Sequence, residues 1–345
     1  MKLLRVGITH GDINGISLEL ITKALSSPEL LELCTPVVFS DESCFMQTAK
    51  LFEFEQPIPL EVIPSARQVI DGRVNLVNAC KEHPQLEWGT QTETALKAEA
   101  NSLNAAIEAF KSGQIDVLVC APGQLDNNLE THALSDFVKQ AVGTEDSVFD
   151  WIINKNVRFH KLQPIAYTTE LGEGFAIEAF KNDIKSINLQ LREDFGFIKP
   201  RIALLSSNDK LESAIQELQE EGLAIFSFLD AEPFVNADLY LHYDAVLCQD
   251  NEQERLAMID KLEKEHTIGY VSGMPVILSY PIMGVEYELA GKGNADETAL
   301  RNAIYSAIDI YRCRTRYREA TRHPLEKQWI PKGRDDFKLD LTKEE

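Results

Sequence analysis

The sequence lacks the short motifs that most often carry metal or nucleophile chemistry. Its six cysteines form no CxxC pair, which argues against zinc knuckles and disulfide scaffolds and predicts reduced thiols. Its seven histidines form no HxxxH or HExxH pair, the spacings at which one helix presents two zinc ligands. A GxSxG turn, which exposes a nucleophilic serine, is also missing. Any catalytic site must therefore be assembled from distant segments.

Positive charge and long apolar runs are scarce as well. The chain has 34 Lys and Arg against 55 Asp and Glu, a formal net charge of −21. Nucleic acid and anionic membranes are therefore unexpected partners, because binding to them depends on Lys and Arg. No apolar run approaches the ~18 residues that span a bilayer, and MKLLRVGIT is interrupted by Arg5 and lacks a signal peptide's pattern. We expect a cytoplasmic protein with a small-molecule ligand.

Short β-branched runs alternate with amphipathic segments, a pattern typical of an α/β fold with parallel strands and helical crossovers. The predicted strands are Leu3–Thr9, Pro36–Ser40, Leu60–Ile63, Asp116–Ala121, Pro164–Thr169, Arg201–Ser206, Ala224–Leu229, Ala245–Gln249 and Val276–Tyr280. The predicted helices are Leu18–Ser26, Thr92–Lys111, Ser135–Ala141, Ala176–Phe195, Leu211–Glu221, Glu252–Glu265 and Glu297–Tyr311.

Two breaks in the pattern suggest a two-lobed, discontinuous architecture. A buried-looking strand stops at Ala121-Pro122-Gly123, and a glycine pair precedes the last long helix at Ala290-Gly291-Lys292-Gly293. We therefore assign residues 1–121 and 290–345 to one α/β lobe and residues 122–289 to a second, with a ligand cleft between them. The charged end, residues 328–345, is predicted to be a surface tail.

Two glycine-containing loops are candidates for ligand binding. In THGDING, residues 9–15, glycines permit a tight turn before a helix, and Asp12 either faces a cleft ligand or caps an ordinary turn. In AGKGNAD, residues 290–296, Lys292 between Gly291 and Gly293 either meets a nucleotide phosphate or belongs to a capped turn. Both alternatives stay open for each loop.

Read in order, several fragments resemble the 4-hydroxythreonine-4-phosphate dehydrogenases of pyridoxal phosphate (vitamin B6) biosynthesis, nearly from end to end. They are RVGITHGDINGISLELITKAL, WGTQTETA, DVLVCAP, KPRIALLSSN, YDAVLCQDNEQ, SGMPVIL, ELAGKGNAD and RHPLEKQWIPKGRDDFKLDL. The resemblance implies the two-lobed isocitrate/isopropylmalate-dehydrogenase-like fold and a homodimer whose cleft is completed by the partner subunit. It also implies oxidation of the substrate's hydroxyl with NAD and a divalent metal, followed by loss of CO2. Gly273, Pro275, Gly291, Lys292 and Gly293 would contact NAD.

The residues at the implied metal positions differ from those of the family. The family's three ligands are histidines, and the matching positions here are Glu170, Lys210 and Asn251. The Lys210 ammonium has no lone pair for a metal, whereas the other two side chains offer oxygen.

The implied substrate contacts are also altered. The family's phosphate-binding Asn and Arg match Gly269 and Leu278, and a lysine of its PINK segment matches Leu125. His132 is retained from a substrate motif, together with Asp12 of the first loop. Replacing a guanidinium with an isobutyl group removes a bidentate grip on phosphate.

These differences leave several functional hypotheses. The first is a working NAD-dependent dehydrogenase whose metal is held by carboxylates such as Glu170, Asp209 and Glu252. The second is a catalytically inactive relative that acts as a binding or regulatory subunit, including as a heterodimer with an active family member. A different reaction in the same cleft is the third.

Overall fold

A computed structural model describes residues 3–51, 58–125, 133–144, 147–154, 157–161, 173–206, 211–248 and 266–322. Within these ranges the strands are β1 Leu4–Thr9, β2 Cys34–Ser40, β3 Leu60–Ile63, β4 Val74–Asn78, β5 Val117–Cys120, β6 Phe149–Asn154, β7 Val157–Lys161, β8 Arg201–Leu205, β9 Ala224–Phe228, β10 Ala245–Cys248, β11 Thr267–Ser272 and β12 Leu278–Pro281. The α-helices are α1 Ser17–Leu25, α2 Pro28–Leu33, α3 Glu42–Leu51, α4 Glu93–Lys111, α5 Ala133–Val142, α6 Glu173–Phe195, α7 Glu212–Glu220, α8 Ala231–Asn236 and α9 Thr298–Thr321. The predicted α/β class is confirmed.

The twelve strands form one mixed sheet in the order β3-β4-β2-β1-β5-β12-β11-β6-β7-β10-β8-β9. In this spatial order, neighbouring strands are parallel in the first six positions, from β3 through β5 to β12, and in the last four, from β7 through β10 to β9. In the middle, β11 is antiparallel to both β12 and β6, and β6 is antiparallel to β7. The expectation of parallel strands was therefore wrong for the centre of the sheet, where short connections join β6 to β7 and β11 to β12 in place of helical crossovers.

Helices cover both faces of the sheet. Alternate strand residues such as Ile8 and Val119 join a core with α1, α3, α6, α7 and α9. The intervening residues, such as Leu118, face α4 and α5 at one end of the sheet. At the other end, Phe159 and its neighbours face α8. This burial on both faces explains the continuous apolar runs, such as VLVC of β5, in the sequence.

A buried ion pair joins α9 to α6. The Arg314 guanidinium donates from Nε to Asp194 Oδ1 at 2.7 Å, from Nη2 to the Tyr270 hydroxyl at 2.8 Å and from Nη1 to the Met274 carbonyl at 3.1 Å. The Tyr270 hydroxyl donates to the second Asp194 oxygen at 2.5 Å. Both charged side chains are almost fully buried, so each depends on the other for compensation.

Most predicted elements are present, with shifted ends. The predicted strand 276–280 begins two residues later, as β12, and the last helix continues past Tyr311 to Thr321. Strands β4, β6, β7 and β11 and helices α2, α3 and α8 were not predicted. The predicted strand 164–169 and helix 252–265 lie outside the described residues.

The division into two lobes stays a prediction. The sheet runs without interruption past both predicted boundaries, and β12, from the range 122–289, pairs with β5. The tail, residues 328–345, lies outside the described residues. Within the described part of the chain, every helix is too short or too polar to cross a membrane.

Candidate active site at the carboxyl ends of β1, β5 and β12

The sheet has a switch point between β1 and β5. From β1 the chain continues to β2 on one side, while β5 lies on the other side, parallel to β1. Strand β12 is parallel to β5 and follows it in the sheet. The loops after these three strands therefore leave the same edge side by side. In open α/β sheets, ligands bind outside the carboxyl ends of the strands at such a point.

Asp12, in the loop after β1, joins the three loops. Its side chain is fully buried. Oδ1 accepts from the Asn14 backbone at 2.8 Å, and Oδ2 accepts from Gln124 Nε2 at 2.8 Å and from the Tyr287 hydroxyl at 2.5 Å. Three donors from three loops thus use most of the acceptor capacity of this carboxylate, and Asp12 connects the loops rather than facing open space.

The loops after β1 and β5 approach each other closely. Gly11 has a φ of 60°, and a Cβ there would lie 2.0 Å from the Pro122 carbonyl oxygen. The same oxygen accepts from the Asp12 backbone at 2.9 Å and from the Ser17 hydroxyl. Glycine at position 11 is therefore required by both conformation and space.

Glu99, on α4, fixes the loop after β5 from the other side. Its carboxylate accepts from the backbone N–H of Gln124 at 2.8 Å and of Leu125 at 3.0 Å. A small pocket at the switch point is lined by Glu99 with Thr9, Cys120 and Leu125. Burial raises the pKa of Glu99 to about 7, although the two hydrogen bonds favour the ionised form and lower the pKa.

His10 is enclosed beside this network. It is fully buried, and neither ring nitrogen has a hydrogen-bond partner among the described residues that meets ordinary geometry. Burial lowers the pKa of His10 to about 4. The imidazole is therefore neutral at physiological pH.

Asn14 ties a third segment, around the WGT motif, to the site. Its Nδ2 donates to the Thr90 carbonyl at 3.0 Å and to Thr92 Oγ1 at 3.1 Å, while its Oδ1 accepts from the Glu87 backbone at 2.8 Å. Thr92 is also the N-cap of α4. The Asn14 amide thus anchors the N-cap residue of the helix that carries Glu99.

The AGKG turn packs against α1 and Trp88. A Cβ on Gly291, whose φ is 72°, would lie 1.8 Å from the indole. Glu19 accepts from the backbone N–H of Gly293 at 3.3 Å, and Lys23 donates to the Gly293 carbonyl at 2.8 Å. The N–H of Lys292 is likewise used, by the Leu289 carbonyl at 3.2 Å.

Two backbone donors of this turn, at Lys292 and Gly293, are engaged within the protein. Packing against the indole accounts for the glycine at 291. The exposed side chain of Lys292 is the contact that this turn offers to a nucleotide. Its role in NAD binding stays a prediction.

Gly273 and Pro275 belong to the turn between β11 and β12. Gly273 has a φ of 80°, and a Cβ there would lie 2.1 Å from the Ser147 carbonyl oxygen. Its own carbonyl accepts from the Thr144 hydroxyl at 3.2 Å. The residues that contact this turn are different from those that contact the AGKG turn. NAD binding by Gly273 and Pro275 stays a prediction.

The two positions that the resemblance matches to phosphate ligands are closed. Gly269 of β11 lies under the Tyr280 ring, where a Cβ would meet a ring carbon at 2.1 Å. Leu278 is fully buried in the apolar core beside α4 and α5. Neither position offers hydrogen-bonding side-chain atoms to an anion.

The remaining predicted site residues lie outside the described residues. They are His132, Glu170, Asp209, Lys210, Asn251 and Glu252. In the described part of the chain, no three His, Cys, Asp or Glu side chains are grouped so that they can hold a metal. The donor set that the resemblance implies, with the Lys210 ammonium in place of one ligand, does not fit a three-histidine metal site.

Sequence reasoning missed Glu99, Tyr287 and the role of Gln124. Glu99 lies on an amphipathic helix among other charged residues, and Tyr287 is 275 positions from the carboxylate that it contacts. The sequence feature that pointed to Glu99 was the glycine at position 123, because a Cβ there would lie 2.0 Å from Glu99 Oε1.

Comparisons with known proteins agree on one family. The family model "Pyridoxal phosphate biosynthetic protein PdxA" matches residues 32–307. The 4-hydroxythreonine-4-phosphate dehydrogenase of Bacteroides thetaiotaomicron is 29% identical, covering 98% of this chain and 97% of the relative. A protein of Oceanobacillus iheyensis, named for D-threonate 4-phosphate dehydrogenase activity, is 23% identical over 88% of this chain and 97% of its own.

A solved structure agrees with the fold. A 4-hydroxythreonine-4-phosphate dehydrogenase structure from Salmonella typhimurium has a TM-score of 0.68 and 18% identity, covering 90% of this chain and 100% of the other. Because the family model spans well over half of the residues, the resemblance seen in the sequence fragments is confirmed. The chain belongs to the PdxA family.

Proposed function

We propose that this protein is an oxidoreductase that oxidises 4-phosphohydroxy-L-threonine with NAD in pyridoxal phosphate biosynthesis. The observation that carries the proposal is the match to the Bacteroides thetaiotaomicron enzyme across 98% of the chain. The three loops at the switch point supply a place for a small ligand. Since another relative is named for D-threonate 4-phosphate, the substrate class is a phosphorylated four-carbon hydroxy acid.

The test is NADH formation by the purified protein with each of the two phosphorylated acids, supplied in turn with Mg2+, Mn2+ and Zn2+. We expect turnover with 4-phosphohydroxy-L-threonine. Replacing the exposed Lys292 with alanine should raise the KM for NAD, while the exposed Lys199→Ala serves as the matched control and should leave it unchanged. Absence of NADH with both substrates and all three metals would contradict the proposal.

A second candidate is a non-catalytic relative that acts as a binding or regulatory subunit. The observation favouring it is the full burial of Leu278, together with the ring over Gly269, at the positions matched to phosphate ligands. A phosphorylated substrate would lose about 1.5–3 kcal/mol for each missing charge-assisted hydrogen bond. We propose a homodimer in either case, or a heterodimer with an active family member.

Thermal unfolding distinguishes the two candidates, because a ligand that binds the native state raises the melting temperature. A shift with a divalent metal that grows when NAD is added supports the dehydrogenase. If neither ligand shifts the transition, and the protein co-elutes with an active family member during size exclusion, the subunit function is supported. A monomer that binds neither ligand would contradict both.

A further inference from the structure

The loop after β5 is held at the switch point by a carboxylate that approaches its backbone. Both Glu99 oxygens are used, one for Gln124 N–H and one for Leu125 N–H. The approach is possible because residue 123 is glycine, since a Cβ there would lie 2.0 Å from Oε1 and 2.5 Å from Cδ. The side chain is 6% exposed and lines the pocket, so water does not readily replace it.

This contact reaches the centre of the site through one residue. Gln124, whose backbone binds Glu99, donates through its side chain to Asp12 Oδ2 at 2.8 Å. Asp12 in turn holds the Tyr287 hydroxyl from the loop after β12. The position of the loop after β5 therefore decides whether Asp12 keeps one of its side-chain donors.

We propose that Glu99 is a proton-controlled latch, which holds the 123–125 loop against the switch-point pocket when ionised and loosens it when protonated. A carboxylate accepts two N–H bonds at once, whereas a carboxylic acid has one good acceptor oxygen. Protonation thus weakens one of the two backbone contacts. The proposal concerns the loop itself and does not depend on catalysis.

The surroundings of Glu99 place its protonation in a pH range that can be studied with the folded protein. Burial is the main cause that raises the pKa of Glu99 to about 7, and the Asp12 charge, from the loop after β1, adds to it. The other described titratable groups near Glu99 are Cys120, which lines the pocket, Tyr287, from the loop after β12, and His10, from the loop after β1. Burial raises the pKa of Tyr287 above its ordinary range and lowers the pKa of His10 to about 4. The Tyr287 hydroxyl therefore stays protonated while Glu99 titrates.

The test is hydrogen–deuterium exchange of the peptide containing Gln124 and Leu125, expressed as protection factors from pH 5.5 to 8.5. We expect protection to rise about tenfold through pH 7, the effect of one charge-assisted hydrogen bond. In Glu99→Gln, which cannot ionise, protection should be lower at pH 8.5 and independent of pH. The exposed Glu108→Gln on the same helix should behave like the wild type.

Two results would overturn the latch. One is wild-type protection that does not change across this pH range, a measurement that needs no variant. The other is a Glu99→Gln protein whose loop keeps the wild-type pH dependence, which would assign the transition to a different group. If Glu99→Gln fails to fold, Glu99→Asp takes its place. Its shorter side chain cannot reach both N–H groups, so protection at pH 8.5 should be lower than in the wild type and should change less with pH.

Discussion

Replacing Asp12 with alanine should destabilise the protein strongly, because Asp12 is fully buried and serves three loops. The substitution removes the acceptor for the Asn14 backbone, the Gln124 amide and the Tyr287 hydroxyl. Hydrogen bonds to a charged group contribute about 1.5–3 kcal/mol each. Gln124 and Tyr287 are only partly buried and can turn toward water, so part of this is recovered. We expect a loss of about 3–5 kcal/mol in the free energy of unfolding.

Urea unfolding monitored by circular dichroism measures this loss, and two milder variants calibrate it. Tyr287→Phe removes one donor and should cost about 1 kcal/mol. Asp12→Asn keeps one acceptor oxygen but directs an amide at other donors, so it should fall between the two. A change below about 1 kcal/mol for Asp12→Ala would refute the view that this carboxylate is a structural junction, and would restore its interpretation as a ligand-facing group.

Three further outcomes follow from the described contacts. Gly291→Ala places a Cβ 1.8 Å from the Trp88 indole and should lower the free energy of unfolding more than Gly113→Ala does. Gly113 has a similar φ but open space around it, so its replacement should cost only about 1–2 kcal/mol, from backbone strain. Chemical denaturation compares the two variants. Arg314→Met leaves the buried Asp194 without its cation and should lower the free energy of unfolding by about 3–5 kcal/mol in the same assay. Replacing Asp194 as well removes both charges and should restore most of that stability. Because the pKa of His10 is about 4 when folded and 6.5 when unfolded, stability should decline as pH falls from 6.5 to 4, by up to about 3 kcal/mol, and His10→Gln should abolish that part of the decline.

The sequence predicted those elements whose pattern is decided locally. Helix α4 was placed to within one residue of its ends and β3 exactly, since periodicity and a Thr cap specify the first and flanking prolines frame the second. Strand β6 was missed because it contains Asp150 and ends at Asn154, polar residues that interrupt its apolar pattern. The Asn154 side chain donates to the Thr267 hydroxyl of β11 at 2.7 Å, a partner more than a hundred residues away.

The last helix shows the same limit of local reasoning. After Tyr311 the sequence is RCRTRYREAT, which is too polar to predict burial. Arg314 is nevertheless 6% exposed, because Asp194 of α6 and the Tyr270 hydroxyl receive its guanidinium. A buried charge is identifiable only when its partner is known, and here the partner is 120 positions distant.

In the candidate site, too, local features were predictable and contacts between distant residues were not. The THGDING and AGKG loops were identifiable because a glycine with positive φ leaves a mark in the sequence, and both turn out to be packed against other segments of the chain. What the sequence did not give was the order of the contacts: Glu99 to the 123–125 loop, Gln124 to Asp12, and Asp12 to Tyr287.

The closed phosphate positions and the intact junction at Asp12 carry separate information about function. Leu278 and the covered Gly269 remove anion contacts on the strands, whereas the loops at the carboxyl ends of β1, β5 and β12 keep a dense set of hydrogen bonds around buried polar groups. Such groups are costly to maintain unless every partner is present. Asp12 and Glu99 accept from backbone N–H groups of these loops and hold them in place, which agrees with the proposed role of the loops in binding a ligand.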